Sequence, residues 1–177
     1  MSQPVTADAE VPLHEHKQCL TFMLSGELFA IGILCIKEII EYGAPTEVPM
    51  MPACIRGVIN LRGAVVPVLD LAVRFGKPSN PVSKKTCIVI VEIQADDECH
   101  VIGLVVDAVN AVLDIPCGEI EPAPAFGAKI RTDFIEGMGK VNGRFVILLN
   151  VNAVLSLDEI SLLGRAATSA EFATASA

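Results

Sequence analysis

Few residues of this chain have the type and spacing to run a reaction. The sequence holds three histidines. His14 and His16 stand near Cys19 and could on paper share a metal, but no fourth ligand follows, and the segment Met1 to Lys17 has no apolar period to order it. Residues 1–17 therefore read as a solvated, disordered lead. His100 sits inside an apolar run, and no spacing sets a nucleophile or carboxylate beside it, so it reads as a structural histidine, not a general base. Asp96, Asp97 and Glu98 form an acidic tip between two apolar runs, where a solvated turn accounts for them better than a cation site. Cys19, Cys35, Cys54, Cys87, Cys99 and Cys117 are irregularly spaced with no CxxC pair. Most lie in apolar runs, where cysteine acts as a small hydrophobe, and the usage implies a reducing cytoplasm. No phosphate loop, GxGxxG or GxSxG occurs. No catalytic residue, metal or cofactor is expected, and the chain reads as a binding module.

Composition narrows what it would bind. A formal charge of −8 with no Lys/Arg cluster argues against nucleic acid, because neutralising phosphates needs grouped cations. The hydrophobic fraction of 52% and mean hydropathy of +0.55 are high. Yet the apolar run Phe145 to Leu157 spans only thirteen residues and contains two asparagines, too short for a membrane-spanning helix, so direct membrane insertion is not expected. Strands buried on both faces absorb such apolar content, and an exposed docking surface would add to it. The N-terminus has neither a basic head nor an apolar core of a secretory signal.

The stretch that must position any site is Ile55 to Gly76, IRGVINLRGAVVPVLDLAVRFG. Ile55, Ile59 and Leu61 alternate with Arg56, Asn60 and Arg62, which predicts a half-buried strand with the polar set facing water. Arg62-Gly63 reverses the chain, since a two-residue hairpin turn needs positive φ. Val65 to Leu69 returns; Pro67 has no N–H to donate, which places this arm near a sheet edge or in an irregular pairing. Asp70 is the N-cap of a single helical turn that Gly76 closes.

The same unit recurs eighty residues later. Gly57 maps to Gly137, Leu61 to Val141, Arg62-Gly63 to Asn142-Gly143, Val65-Val66 to Phe145-Val146, Asp70 to Asn150 and Phe75 to Leu155. Upstream of it, Gln18 to Ser25 and Leu28 to Ile33 predict a hairpin turned at Gly26-Glu27, and Cys35 to Tyr42 fits either a further strand or one helical turn. The segment Gly76 to Lys85, rich in Pro, Ser and Asn, links the halves. Thr86 to Ile93 and Cys99 to Val106 form the second leading hairpin, and Val109 to Ile115 echoes Ile39 onward. This echo has a shorter offset than the later hairpin, which locates an insertion in Pro116 to Phe134. Leu157 to Gly164 predicts a last amphipathic helix, and residues 165–177 a disordered tail.

In order, FAIGILCIKEIIEY, VPMMPACIRGVINLRGAVVPVLDLAVRFG, VIGLVVDAVNAVLDI and EIEPAPAF resemble the CheW family of chemotaxis coupling proteins, over about Gln18 to Gly164. The resemblance implies a mainly β fold: two SH3-like five-stranded β-barrel subdomains with short helices and a C-terminal helix, all within one domain, 18–164. Subdomain 1 would cover about 18–80 plus a C-terminal crossing piece, and subdomain 2 about 84–155, in sheets free of parallel pairing. The implied function is that of a non-enzymatic adaptor joining the cytoplasmic tip of methyl-accepting chemotaxis receptors to the regulatory domain of the histidine kinase CheA. Such a protein is cytoplasmic and recruited to membrane-associated receptor arrays. Carried over by position, the receptor- and kinase-binding residues are Ile33, Ile36, Glu38, Ile39 and Arg62, with Glu38 and Arg62 as an ion pair. The sequence departs from the family pattern at Cys35, where a longer polar residue is common, and at Ala72, where arginine is usual. Two other classes stay open at this level: an adaptor of a non-flagellar array, such as one controlling twitching pili, and an enzyme with an unrecognised site.

Overall fold

The computed structural model describes residues 16–95, 98–122, 134–141 and 143–154. Ten strands follow in chain order: β1 (His16–Leu24), β2 (Glu27–Gly32), β3 (Ile36–Glu41), β4 (Ile55–Leu61), β5 (Ala64–Asp70), β6 (Cys87–Ala95), β7 (Glu98–Val106), β8 (Ala108–Pro116), β9 (Ile135–Val141) and β10 (Arg144–Leu149). The sole α-helix among the described residues is the single turn α1 (Leu71–Arg74). Each half of the chain thus runs hairpin, lone strand, hairpin, as the repeat implies. Asp70 caps α1 by accepting from the Ala72 and Val73 amides, and Asn150 repeats the device by accepting from the Asn152 amide ahead of a 3-10 turn at Val151–Ala153. The stretch left ambiguous between strand and helix divides: Ile33–Cys35 is a 3-10 turn, and Ile36–Glu41 is extended, as β-branching favours.

The strands assemble into two five-stranded sheets, ordered β8-β1-β2-β10-β9 and β3-β6-β7-β5-β4. Each sheet takes the leading hairpin of one half and the trailing three strands of the other. The sheets therefore do not follow the 76–85 linker, and each draws strands from both halves of the chain. After β2 the chain passes through the Ile33–Cys35 turn and pairs β3 with β6, while β8 returns to pair with β1. Alternating apolar residues specify which face of a strand is buried but not which strand lies beside it.

This exchange also corrects the expectation of sheets without parallel pairs. Strands β2 and β10 pair in parallel at Phe29↔Ile147 and Ala30↔Leu148, and β5 and β7 at Val68↔Gly103, Leu69↔Leu104 and Asp70↔Val105. Strands from different halves can lie side by side in parallel because the chain between them is long enough to cross over. Pro67 sits in β5, one strand in from the edge, opposite Val58. The β7 ladder begins only at Val68, so the missing N–H falls outside the parallel register.

The shared core lies between the sheets, with Leu20, Phe22, Phe29 and Ile31 from one and Val89, Val91, Ile93 and Leu104 from the other. Phe22, Phe29, Phe75 and Phe134 form a chain of rings with successive centroids 5.9, 5.6 and 5.7 Å apart. Burying each such side chain stabilises the fold by roughly 2 to 3 kcal/mol. Each sheet adds a smaller cluster of its own, Cys19, Ala30, Ile115, Val146 and Leu148 in the first and Val66, Val68, Ile88, Ile90 and Val105 in the second.

The loops ahead of the repeated hairpins are equivalent too, since Thr46 bridges Val58 and Glu121 bridges Met138. The first pair is twelve positions apart and the second seventeen, so the second half carries five more residues between Glu121 and Met138. Asp96-Asp97, Asn142, the Leu157–Gly164 helix, the N-terminal lead and the C-terminal tail lie outside the described residues. Among the described residues no helix is long and apolar enough to cross a membrane.

Candidate functional site

Arg62 owes its position to the β4–β5 turn. Its φ is 53° and that of Gly63 is 88°, the consecutive left-handed pair of a type I′ hairpin. The Gly63 amide donates to Asn60 Oδ1 at 2.9 Å, which holds the turn tight. From there the guanidinium reaches Glu38 on β3 through two parallel bonds, Nη1 to Oε2 at 2.5 Å and Nη2 to Oε1 at 3.0 Å. This fork is the strong geometry for an arginine–carboxylate pair. Strands β3 and β4 are opposite ends of their sheet, so the pair joins two edges that share no ladder. The Arg62 side chain remains 76% exposed and that of Glu38 24%.

A second clasp joins the same edges from a more buried position. Arg56, on β4, donates from Nη1 to the Tyr42 hydroxyl at 2.8 Å, from Nε to Asp70 Oδ2 at 2.9 Å and from Nη2 to Ser79 Oγ at 2.6 Å. Asp70 is 3% exposed and also accepts from Ser79 Oγ at 2.7 Å and from the first amides of α1. Burial pulls the Arg56 pKa down, but hydrogen bonds to Tyr42 and Asp70 outweigh it and hold the guanidinium above its ordinary value. Arg56 was expected to face water beside Asn60 and Arg62. A register shift between Ile55 and Gly57 turns it inward instead, where Tyr42 and the linker residue Ser79 meet it. The same shift leaves Gly57 and Val58 as the buried residues of β4, with Ile55, Ile59 and Leu61 only half-buried.

Two grooves flank the Ile33–Glu41 segment. One, of about 380 Å³, has Glu38 and Arg62 at its rim, a floor of Leu61, Pro67 and Ile90, and His100 on its far wall. The other, of about 580 Å³, is lined by Ile33, Leu34, Cys35, Cys117, Glu136 and Asn152. The five carried-over residues thus do not form one patch. Glu38 and Arg62 are in contact, Ile39 is 42% exposed beside them in sequence, Ile36 packs on the shared core, and Ile33 belongs to the second groove. Leu34, at 99% exposure, was not singled out in the sequence; an apolar residue on the one-turn 3-10 segment between two strands is the only signal for it.

The reactive residue types remain scattered. His16 is exposed and Cys19 fully buried on the same strand, so they cannot converge on a metal, and His14 lies outside the described residues. Among the described residues no group of three or more His, Cys, Asp or Glu could hold a metal ion. Burial pushes the thiols of Cys19, Cys35 and Cys87 above their ordinary pKa.

Two five-stranded sheets around one core, each with a groove at its surface and an ion-pair latch on one of them, define a β-rich docking module. The chain belongs to the CheW-like domain family, which matches residues 18–159. It is 33% identical to the chemotaxis protein CheW of Klebsiella aerogenes, with 86% of this chain and 90% of the relative covered. To the chemotaxis protein CheW of Bacillus subtilis it is 37% identical, over 78% of this chain and 86% of the relative. Among solved structures it is similar to the scaffolding protein TtCheW from Thermoanaerobacter tengcongensis, with a TM-score of 0.73, 35% identity, and 81% and 90% of the two chains covered. That likeness fits the two-subdomain SH3-like fold, and the protein is a chemotaxis adaptor.

Proposed function

We propose that this adaptor couples the cytoplasmic tip of methyl-accepting chemotaxis receptors to the regulatory domain of the histidine kinase CheA. In this reading it acts as a non-enzymatic scaffold in the cytoplasm, recruited to receptor arrays as a single domain spanning 18–164. The supporting observation is the exposed Arg62–Glu38 fork at the rim of an apolar groove. A solvated pair of this kind adds little to folding, so its bidentate geometry is better explained by a partner that meets it. Ile33 and Leu34 offer apolar side chains at a second groove, where they could meet the hydrophobic stripe of a receptor helix, with Ile36 and Ile39 between the two in sequence.

Two partners on two grooves should perturb different residues. Adding a receptor-tip fragment and a kinase regulatory domain in turn to isotope-labelled protein should shift two distinct sets of signals with micromolar affinity. Silence toward both cognate partners would overturn the assignment. In reconstituted arrays, Arg62→Ala and Glu38→Ala should each lower kinase activation, and the double variant should lose less than the sum because the pair acts as one unit. An Arg62→Ala protein that melts lower yet still couples fully would remove both residues from the site.

A further inference from the structure

We infer that Asn60 is a positioning residue for Arg62, holding it in the left-handed turn from which its guanidinium reaches Glu38; the inference rests on the reading of that fork as a partner contact. Arginine is a poor residue for this place. At a φ of 53° its Cβ crowds the backbone, in a conformation that glycine, asparagine and aspartate adopt far more readily. Backbone strain of this kind persists where the surroundings hold it, and it gathers at sites of function.

The molecule contains its own comparison. The β9–β10 hairpin closes an equivalent two-residue turn between Val141 and Arg144, as β4–β5 does between Leu61 and Ala64. Its turn sequence is Asn142-Gly143, and asparagine suits a left-handed turn without support. Eighty residues after Asn60 stands Lys140, whose side chain has no acceptor. Where the turn residue is arginine, the residue two before it is asparagine, and Asn60 Oδ1 accepts from the Gly63 amide at 2.9 Å. Ser25, which opens the β1–β2 turn with a φ of 52°, is likewise tied from outside, its amide donating to Asp107 Oδ2 at 2.9 Å.

This support reaches the fork through the backbone. The ladder pairs Leu61 with Ala64 and leaves the Gly63 amide without a strand partner, so Asn60 supplies the acceptor. The backbone angles of Arg62 decide which rotamers its side chain can use. Two parallel bonds to one carboxylate need the guanidinium in a single plane, so a turn that relaxes toward negative φ draws it off Oε1 and Oε2 together. Asn60 is exposed, so replacing it empties no core.

The test is heteronuclear NMR of the full chain, read at the Gly63 amide and the Arg62 Nε–Hε group. Asn60→Ala should shift both, the Arg62 signal moving to its place in Glu38→Ala, where the fork is broken, with circular dichroism unchanged. Asn60→Asp keeps the acceptor oxygen and should keep Arg62 on the fork. In denaturant, Asn60→Ala should lower the midpoint more in the native background than beside Arg62→Asn, since asparagine holds the left-handed turn unaided. An Arg62 signal that stays on the fork in Asn60→Ala, an Asn60→Asp protein that behaves as the alanine variant does, or equal midpoint losses in the two backgrounds would overturn the proposal. Titration with a kinase regulatory domain and a receptor-tip fragment separates it from the reading beneath it. Asn60→Ala should weaken binding of one of them at least about threefold. Weakened binding by Arg62→Ala with none by Asn60→Ala would overturn the positioning role alone, and normal binding of both partners by Arg62→Ala would overturn the partner reading alone.

Discussion

Two arginines six residues apart on one hairpin make opposite predictions about stability. Arg62 is largely solvated, so Arg62→Ala should lower unfolding free energy by less than about 1 kcal/mol in a denaturant titration. Arg56 and Asp70 are different, because Asp70 satisfies a guanidinium, a hydroxyl and two helix amides from a buried position. Asp70→Ala removes all four at once and should cost about 3 kcal/mol, visible as a lower denaturant midpoint at unchanged slope. The thiols give a pH prediction with a definite sign. Cys19 and Cys35 have pKa values raised above 9.0 in the fold, so folding favours their protonated forms. That contribution is whole below pH 9 and is lost as pH rises further, so melting temperature should fall on the alkaline side. Cys35→Ala should flatten the fall; an equally steep decline would show that other groups cause it.

At the scale of elements, the repeated hairpin depends on glycines for two separate reasons. Gly63 sits in the left-handed turn with nothing within 4 Å of the place a Cβ would occupy. Gly63→Ala should therefore cost only the backbone penalty, about 1 kcal/mol. Gly57 has φ of +148° and lies under the Thr46 bridge, where a Cβ would fall 2.2 Å from the Thr46 carbonyl oxygen. Gly57→Ala must break that bridge and should cost at least about 3 kcal/mol. Chemical denaturation of the two variants side by side checks the ranking, and equal losses would contradict the backbone contact. The turn, the cap and the repeat were legible from residues 55–76 and 135–150, because each depends on neighbours in sequence. The inward turn of Arg56 was not, because it follows from a register shift and from partners at Tyr42 and Ser79.

The whole molecule should unfold as one unit, because neither sheet can be made from one half of the chain. Residues 16–80 hold β1 and β2 without β8–β10, and residues 84–154 hold β6 and β7 without β3–β5. Fragments cut in the 76–85 linker should each lack the far-ultraviolet signature of the native sheets when alone, and should recover it when mixed. The intact chain should show coincident thermal transitions by circular dichroism and tyrosine fluorescence. A half that folds alone would contradict the exchanged topology.

Sequence alone determined that the chain is mainly β, that it contains a duplicated hairpin with its turn and cap, and that it resembles an adaptor family lacking catalytic equipment. These follow from period, local turn chemistry and motif order, all properties of residues close together in the chain. Only the tertiary structure decided that the halves exchange strands, that two pairings run parallel, and that Glu38 and Arg62 join the ends of one sheet while Ile33 faces a different groove. An apolar strand can satisfy its pattern beside many partners. The choice among them is made by long-range packing of the shared core, for which the strand's own sequence carries no label.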